Sequence, residues 1–483
     1  MSGLSLMLQS ALCCVLVLLA LLSAQLATLT VLRIFRPRRP LRWQEISPDA
    51  LPRVLVQLPV CNEGALALRV AAAASRLNWP ADRLEIQLLD DGRAISHEDL
   101  RRAIQSAAPP GVNLQVLRRG ERSGFKAGNL AFGLKHSDAP YVAVFDADFV
   151  PSADFLQRTI PALVADEKLA FVQARWGHAN RHRNWLTRVQ GFLLDGHFAV
   201  EQEARYRAGL PISFNGTAGV WSRAAIEDGG GWTGDTLTED LDLSVRCALK
   251  GWRSAIIADL EVPGELPETA AGWRAQQARW TKGHAQVAAK LLPDIWTSTL
   301  SPWVKAALTL QVLQFAFYTL AAASVLISLT LMALGAVYLK PVTELGLAVS
   351  ALGLTTSLTY LYVGQLMLGR SDQPYLPLSL LLAIVLPSGL ILANARATFE
   401  ALFGTEMDFT PTPKAGGVAV SGWRGHPEIF VGLFLPGFAL AEQAWSAPFF
   451  VFAAAGFLSV GAMGWSGTGG MATRSVVPAN HQN

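Results

Sequence analysis

Charge is scarce in this chain. Asp, Glu, Lys and Arg make up 16% of its 483 residues, against 51% hydrophobic residues. A purely soluble protein carries about a quarter charged residues, so part of the chain must lie in a non-aqueous environment. Most of the charge falls between Arg33 and Lys290, which leaves two ends that read as hydrocarbon-soluble. A net charge of +3, with no basic stripe and no interleaved aromatics, excludes a nucleic-acid binder. Cysteine is also sparse. Cys13 and Cys14 sit in an apolar run and Cys61 and Cys247 are isolated, so neither a disulfide framework nor a zinc site is expected. Of the eight histidines, His178, His182 and His197 read as surface or packing residues rather than metal ligands.

Leu6 to Leu32 contains no charge and exceeds the roughly 20 residues that cross a bilayer. A cleaved signal peptide would begin with basic residues. Here they follow the run instead, at Arg33, Arg36, Arg38, Arg39 and Arg42, which predicts an anchor with its basic flank in the cytoplasm. At the other end, Ala306–Leu339 and Val342–Leu368 each supply a spanning helix. Ile429–Leu440 and Ala447–Gly464 form a closing pair near the short limit. Ser379–Ala395 is interrupted by Pro387, Ser388 and Gly389. If Phe409–Lys414 and Arg424 stay cytoplasmic, parity puts this segment in the interface; the alternative is that it spans. Ser301–Gln311 reads as a helix lying on the membrane surface, with Trp303 as its anchor. The expected order is an anchor (1–35), a cytoplasmic catalytic block (50–295), a helical membrane domain (296–465) and a tail (466–483) too short for an appended regulatory domain.

Within the block, short apolar runs alternate with helical stretches. Val54–Pro59, Leu84–Gly92, Asn113–Arg118 and Tyr141–Asp148 read as strands. Ala65–Leu77, Leu100–Ser106 and Ala127–Lys135 read as helices between them. This alternation predicts a mostly parallel α/β sheet with helices on both faces and a ligand beyond the carboxyl ends of its strands. Glu63, the pair Asp90/Asp91 and the pair Asp146/Asp148 all fall at that rim. A lone carboxylate would repel a diphosphate. A divalent ion bridging Asp148 to the phosphates reverses the sign, and hard oxygen ligands select Mg2+ or Mn2+.

The stretch Phe214–Lys282 supplies the rest of a reaction site. F-N-G-T-A-G (Phe214–Gly219) offers small residues and an amide, so that backbone can approach a ligand closely. T-E-D (Thr238–Asp240) opens a helix predicted over Leu241–Lys250, with helix capping as the alternative role for Thr238 and Asp240. Q-Q-A-R-W (Gln276–Trp280) places a guanidinium beside an indole flat enough to stack on a sugar ring. Inverting transfer needs one base opposite the leaving group. Asp240, crowded by Glu239, suits proton capture.

P-V-C-N-E (Pro59–Glu63), L-L-D-D-G (Leu88–Gly92), K-A-G-N-L (Lys126–Leu130), F-D-A-D-F (Phe145–Phe149), F-N-G-T-A-G, T-E-D-L-D-L (Thr238–Leu243) and Q-Q-A-R-W follow one another in that order. The ordered set resembles the processive, membrane-bound family-2 inverting glycosyltransferases of cellulose synthase-like type, nearest the mannan and glucan synthases. The resemblance covers Val54 to Lys282 and extends to F-T-P-T-P-K (Phe409–Lys414). It implies a GT-A nucleotide-sugar-binding fold set between the N-terminal helix and the C-terminal membrane helices. By that resemblance Asp90 or Asp91 holds the base or ribose of a UDP- or GDP-sugar, and Glu63 and Lys126 line the same donor site. Asp146 and Asp148 hold the diphosphate and metal, Asp240 with Glu239 carries catalysis, and Gln276 and Arg279 line the diphosphate. Asn215, Gly216 and Trp280 face the acceptor.

The implied activity is elongation and export of a β-linked polysaccharide by an integral protein of a bacterial inner membrane; no accessory export subunit can be named. Single transfer to a ceramide or diacylglycerol is the alternative, since such enzymes share these motifs. A transporter or receptor built on a degenerate domain would have lost Asp91, Asp148, Asp240 or Arg279, and all four are present.

Overall fold

The computed structural model describes residues 2–93, 95–107, 111–404, 428–433 and 447–466. F-T-P-T-P-K and the tail beyond Ser466 lie outside the described residues.

One seven-stranded sheet organises the block between the membrane helices. Its strands are β1 (Val54–Val60), β2 (Leu84–Asp90), β3 (Asn113–Leu117), β4 (Tyr141–Val144), β5 (Leu169–His178), β6 (Gly219–Ser222) and β7 (Arg253–Gly264), in the order β3-β2-β1-β4-β6-β5-β7. Four of its six pairings are parallel; only β6, between β4 and β5, runs antiparallel to its neighbours. All seven residues of β1 are buried, as expected of a central strand covered on both faces. The covering helices are α2 (Gly64–Ala74), α3 (His97–Ala107), α4 (Phe125–Leu134), α5 (Ile160–Ala165), α6 (Trp185–Gly196), α7 (Glu203–Ala208), α8 (Arg223–Asp228) and α9 (Glu239–Leu249).

Two boundaries differ from the sequence reading. β4 stops at Val144 rather than Asp148, because the chain turns there. Phe145 N–H still donates to Gln57 O at 3.1 Å, but Asp146 N–H goes to the Thr217 hydroxyl at 2.8 Å. Helix α9 starts at Glu239, two residues early. Glu239 and Asp240 therefore lie inside its first turn, where unpaired amides favour negative charge.

The N-terminal run forms α1 (Gly3–Phe35), a helix of 33 residues. The long α10 (Ala270–Thr297) leads out of the sheet into α11 (Pro302–Val312), α12 (Ala316–Ala333) and α13 (Lys340–Met367). Helices α1, α12 and α13 are long and apolar enough to cross a membrane. They pack on one another, and the buried Gln9 of α1 clamps the turn between the other two, accepting from Leu339 N–H at 2.8 Å and donating to Val337 O at 3.2 Å. Helix α11 exposes Trp303.

The interrupted segment forms α14 (Leu376–Ser388) and α15 (Ile391–Phe403), bent by 45° at the break. Each half is about 20 Å long, short of the hydrocarbon core. Gly389 sits at the break, where a Cβ would lie 2.5 Å from Gly456 O of the helix Ala447–Ser466, so only glycine permits the close crossing. Helix α15 then runs along α10, with Lys282 Nζ 3.9 Å from Glu400 Oε2.

Candidate active site

Beyond the carboxyl ends of β1, β2 and β4 lies a cavity of about 400 Å³. Glu63, Asp91, Lys126, Asp146 and Asp148 line it from the sheet side. Asn215, Gly216, Glu239, Asp240, Gln276, Arg279 and Trp280 line it from the other. The sequence thus brought together residues up to 217 positions apart, from Glu63 to Trp280.

Asp90 is the exception among the expected site residues. Its carboxylate accepts from Gly92 N–H at 2.8 Å and pairs with Arg118, and it does not line the cavity. Asp91 does line it, held by a two-pronged contact from Arg119 at 2.8 and 2.7 Å. Of the two acids offered by the sequence, the structure places only Asp91 at the cavity.

Lys126, near the start of α4, ties the acids together. Its Nζ lies 2.6 Å from Asp146 Oδ1 and 3.7 Å from Glu239 Oε1, and donates to Gly216 O at 2.9 Å. Burial works against its charge, but Asp146, Glu239 and Asp240 override that and hold its pKa above the usual lysine value. Gly216 has φ +77°, and a Cβ there would sit 3.2 Å from Asp240 Oδ2. Glycine is needed both for the turn and for the approach of backbone to Asp240.

Asp240 opens onto the cavity. Burial, and then the neighbouring Glu239, push its pKa up to about 7; Lys126 and the amides of Asp240 and Leu241 pull the other way. The capping alternative fares poorly. Thr238 occupies the N-cap position, yet its hydroxyl makes no capping bond and has no hydrogen-bond partner among the described residues. Asp242, in contrast, is structural: fully buried, it pairs with Arg246 and sits 2.7 Å from Lys290 Nζ, locking α9 to α10.

On α10 the residues Gln276, Arg279 and Trp280 fall at i, i+3 and i+4, and so share a face. Burial lowers the pKa of Arg279, opposed by the fields of Glu239, Asp146, Asp240 and Glu63, so its charge sits among the cavity's acids. Trp280 faces Trp176 with ring centroids 6.4 Å apart.

Among the described residues no three His, Cys, Asp or Glu side chains gather closely enough to hold an ion alone. Asp146 and Asp148 both face the cavity, and Asp148 is fixed by Glu265 N–H at 3.2 Å. Two carboxylates completed by ligand phosphate oxygens and water is the arrangement Mg2+ and Mn2+ accept, so the residues fit such an ion.

The three histidines expected to lie at the surface or to pack divide in two. His182 does pack, edge-on to Tyr375. His178 and His197, however, line the cavity, as do Gln190, Glu201, Gln311 and Gln314. The available signal was the i, i+4 spacing of His197 and Glu201 within an apolar stretch.

Residues 141–369 match the family described as glycosyl transferase family group 2, and residues 56–224 match glycosyl transferase family 2. The chain is 45% identical over 250 residues to probable glucomannan 4-beta-mannosyltransferase 11 of Oryza sativa subsp. japonica, covering 51% of this chain and 44% of that protein. It is 41% identical over 318 residues to glucomannan 4-beta-mannosyltransferase 9 of Arabidopsis thaliana, covering 62% and 60%. The chain spans about half the length of the curated relatives it matches. Among solved structures, the mannosyltransferase PcManGT from Pyrobaculum calidifontis in complex with GDP-Man and Mn2+ matches with a TM-score of 0.57. That match covers 82% of this chain and 100% of the other at 21% identity, and shows a shared GT-A-type fold. Over residues 56–369 the chain belongs to the family-2 glycosyltransferases, of the cellulose synthase-like type.

Proposed function

We propose that the chain is a membrane-embedded inverting hexosyltransferase that moves a hexose from a nucleotide diphosphate sugar to the end of a β-linked glycan. One observation carries this reading. A carboxylate poised to capture a proton, Asp240, shares a single cavity with a diphosphate-binding set, Asp146, Asp148, Lys126 and Arg279. Asp240 takes the proton from the acceptor hydroxyl as that oxygen attacks the anomeric carbon. Arg279 and Lys126 hold the diphosphate and favour its departure as charge builds on it. Trp280 offers the acceptor ring a flat apolar face. Asp91 holds the nucleoside end, and Asp146 and Asp148 would hold a divalent ion. When bound, such an ion supplies positive charge against the departing diphosphate.

The glycan is favoured over a lipid acceptor by the far end of the cavity. It runs past Glu201 and His197 to Gln311 on α11 and Gln314 just before α12. Amide and imidazole groups match sugar hydroxyls, whereas an acyl chain would leave them unpaired. The same course leads a growing chain toward the membrane helices, which supports export through them. The names of the plant relatives make mannose the first sugar to test, with GDP-mannose and Mn2+ the first pair to supply. The arginine flank of α1 is pinned to the catalytic block, Arg33 Nε to Ala199 O at 2.6 Å and Arg207 Nη1 to Arg36 O at 2.8 Å, which supports a cytoplasmic block. The bacterial inner membrane expected from the sequence finds no support in plant relatives.

Membranes containing the chain, incubated with labelled GDP-mannose, UDP-glucose and related donors, should yield a polymeric product sensitive to a β-mannanase or β-glucanase. Label recovered only in the lipid extract would establish the single-transfer alternative instead.

A further inference from the structure

A hydrogen-bond chain along the cavity wall fixes which nitrogen of His197 carries the proton. Between α6 and α7 the helix widens into a π turn, His197–Gln202, an irregularity that often accompanies a functional site. Gln202 is buried, and its Nε2 donates to the backbone carbonyl of Ser213 at 2.8 Å. A carbonyl can only accept, so the orientation of this amide is settled. The same Nε2 donates to Asn215 Oδ1 at 2.7 Å, which turns the Asn215 Nδ2 toward His197 Nε2 at 3.0 Å. His197 Nε2 therefore accepts and bears no proton. Its Nδ1 carries the proton and donates to Glu201 Oε2 at 3.0 Å.

Glu201 is in turn held from the membrane side. Gln314 Nε2, just before α12, donates to its Oε1 at 2.5 Å, and Arg205 Nε does so at 3.3 Å. Burial opposes its charge, but His197, Arg205 and Gln314 keep its pKa down at about 2, so it remains a carboxylate. His197, Glu201 and Asn215 all face the cavity.

We propose that His197, with its proton held on Nδ1 by Glu201, is a positioning residue that locks the Asn215 amide to read a hydroxyl of the acceptor sugar. This rests on the transferase reading above, with Asn215 on the acceptor side. Gripped from both ends, Asn215 keeps one N–H and one lone pair for the cavity, a matched donor and acceptor for a single hydroxyl. Its backbone continues into Gly216, which abuts Asp240, so a shift of this amide moves the acceptor oxygen relative to the base. A proton added to His197 Nε2 sets two donors face to face, and the Asn215 amide must turn away.

The charged and titratable groups around this imidazole are Glu201 on its own turn, Arg205 on α7 and His284 on α10. Tyr360 on α13 packs against Gly196, and Arg33 of α1 binds Ala199 O. The one other imidazole among these is His284, whose pKa burial lowers. Its Nδ1 is bound to Trp280 O, and the His197 substitution separates the two.

The test measures acceptor KM, kcat and nucleotide affinity for the full chain in lipid nanodiscs, with GDP-mannose and a β-1,4-linked manno-oligosaccharide. In the wild type, acceptor KM should rise about tenfold between about pH 8 and about pH 5.5, with nucleotide affinity flat. His197→Gln replaces the imidazole by an amide that does not titrate, and should flatten that profile. Glu201→Gln should raise acceptor KM about tenfold at neutral pH while changing kcat far less. Should Glu201→Gln fail to fold, the His197→Gln profile decides alone. Transfer by the wild type with an unchanged KM profile in His197→Gln overturns this inference by itself. A wild type that transfers no hexose to any oligosaccharide overturns the transferase reading and this inference with it.

Discussion

Lys126 Nζ stands 2.6 Å from Asp146 Oδ1, and the same ammonium reaches Glu239 at 3.7 Å. One cation thus joins the acid pair assigned to the diphosphate and metal to the helix that carries the proposed base. A bound diphosphate offers this ammonium new oxygens, so its grip on Glu239 and Asp240 should loosen as the sugar donor enters. Lys126→Ala is accordingly expected to weaken nucleotide binding by roughly tenfold or more, in line with loss of a charge-assisted contact. Isothermal titration with nucleoside diphosphate measures this; unchanged affinity would place Lys126 outside the donor site.

Activity should rise with pH. Asp240 acts as a base only when ionised, and its pKa stands raised to about 7 by burial and Glu239. The ionised fraction therefore grows as pH climbs through that value, and kcat/KM, which reports the free enzyme, should climb with it. A cation at Asp146 and Asp148 favours the ionised form and moves the midpoint down. A rate that falls across pH 6 to 8 would contradict the assignment.

Chelation should abolish transfer, and Mn2+ or Mg2+ should restore it. Asp148→Ala should not be rescued by either ion, because one of the two carboxylates proposed to hold the ion is then missing. Full turnover in excess chelator would remove the ion from the account.

Asp242 tests the distinction between catalytic and structural acids on one helix. It has no exposure, and loses both Arg246 and Lys290 as partners if replaced. Asp242→Ala should destabilise the fold by about 3–5 kcal/mol, the usual cost of orphaning buried charges. A lowered melting temperature at unchanged nucleotide affinity per folded molecule is the expected pattern.

Most of this site could be read from the sequence because it sits at strand ends. Apolar runs that stop on acids, as at Val54–Glu63 and Leu84–Asp91, announce both the strand and the rim it points to. What could not be read depended on side-chain direction. Asp90 and Asp91 are adjacent and point opposite ways, and only the contacts of Arg118 and Arg119 reveal which one faces the cavity. The strands β5 and β7 went unread because each is crossed by a register shift and carries polar residues such as Gln173, Arg175 and Glu261. That His197 and Glu201 share the cavity depended on a local irregularity. A π turn, His197–Gln202, carries them, and its wider winding departs from the 3.6-residue period read from sequence. In the membrane region the break before α15 was visible as Pro387-Ser388-Gly389, but the crossing of Gly389 with Gly456 joins segments 67 residues apart.

The most direct test of the account is single-turnover transfer by Asp240→Asn, measured beside its nucleotide affinity. Asparagine keeps the size and much of the hydrogen bonding of aspartate but cannot take the hydroxyl proton. The account predicts a transfer rate lower by about 10²–10⁴-fold, or more, with nucleotide affinity close to wild type. Arg279→Ala, run alongside, should lose donor affinity as well as rate, since its guanidinium is assigned to the diphosphate. If Asp240→Asn instead loses the nucleotide and transfers at the wild-type rate once saturated, Asp240 belongs to donor binding, and the mechanism built on it is wrong.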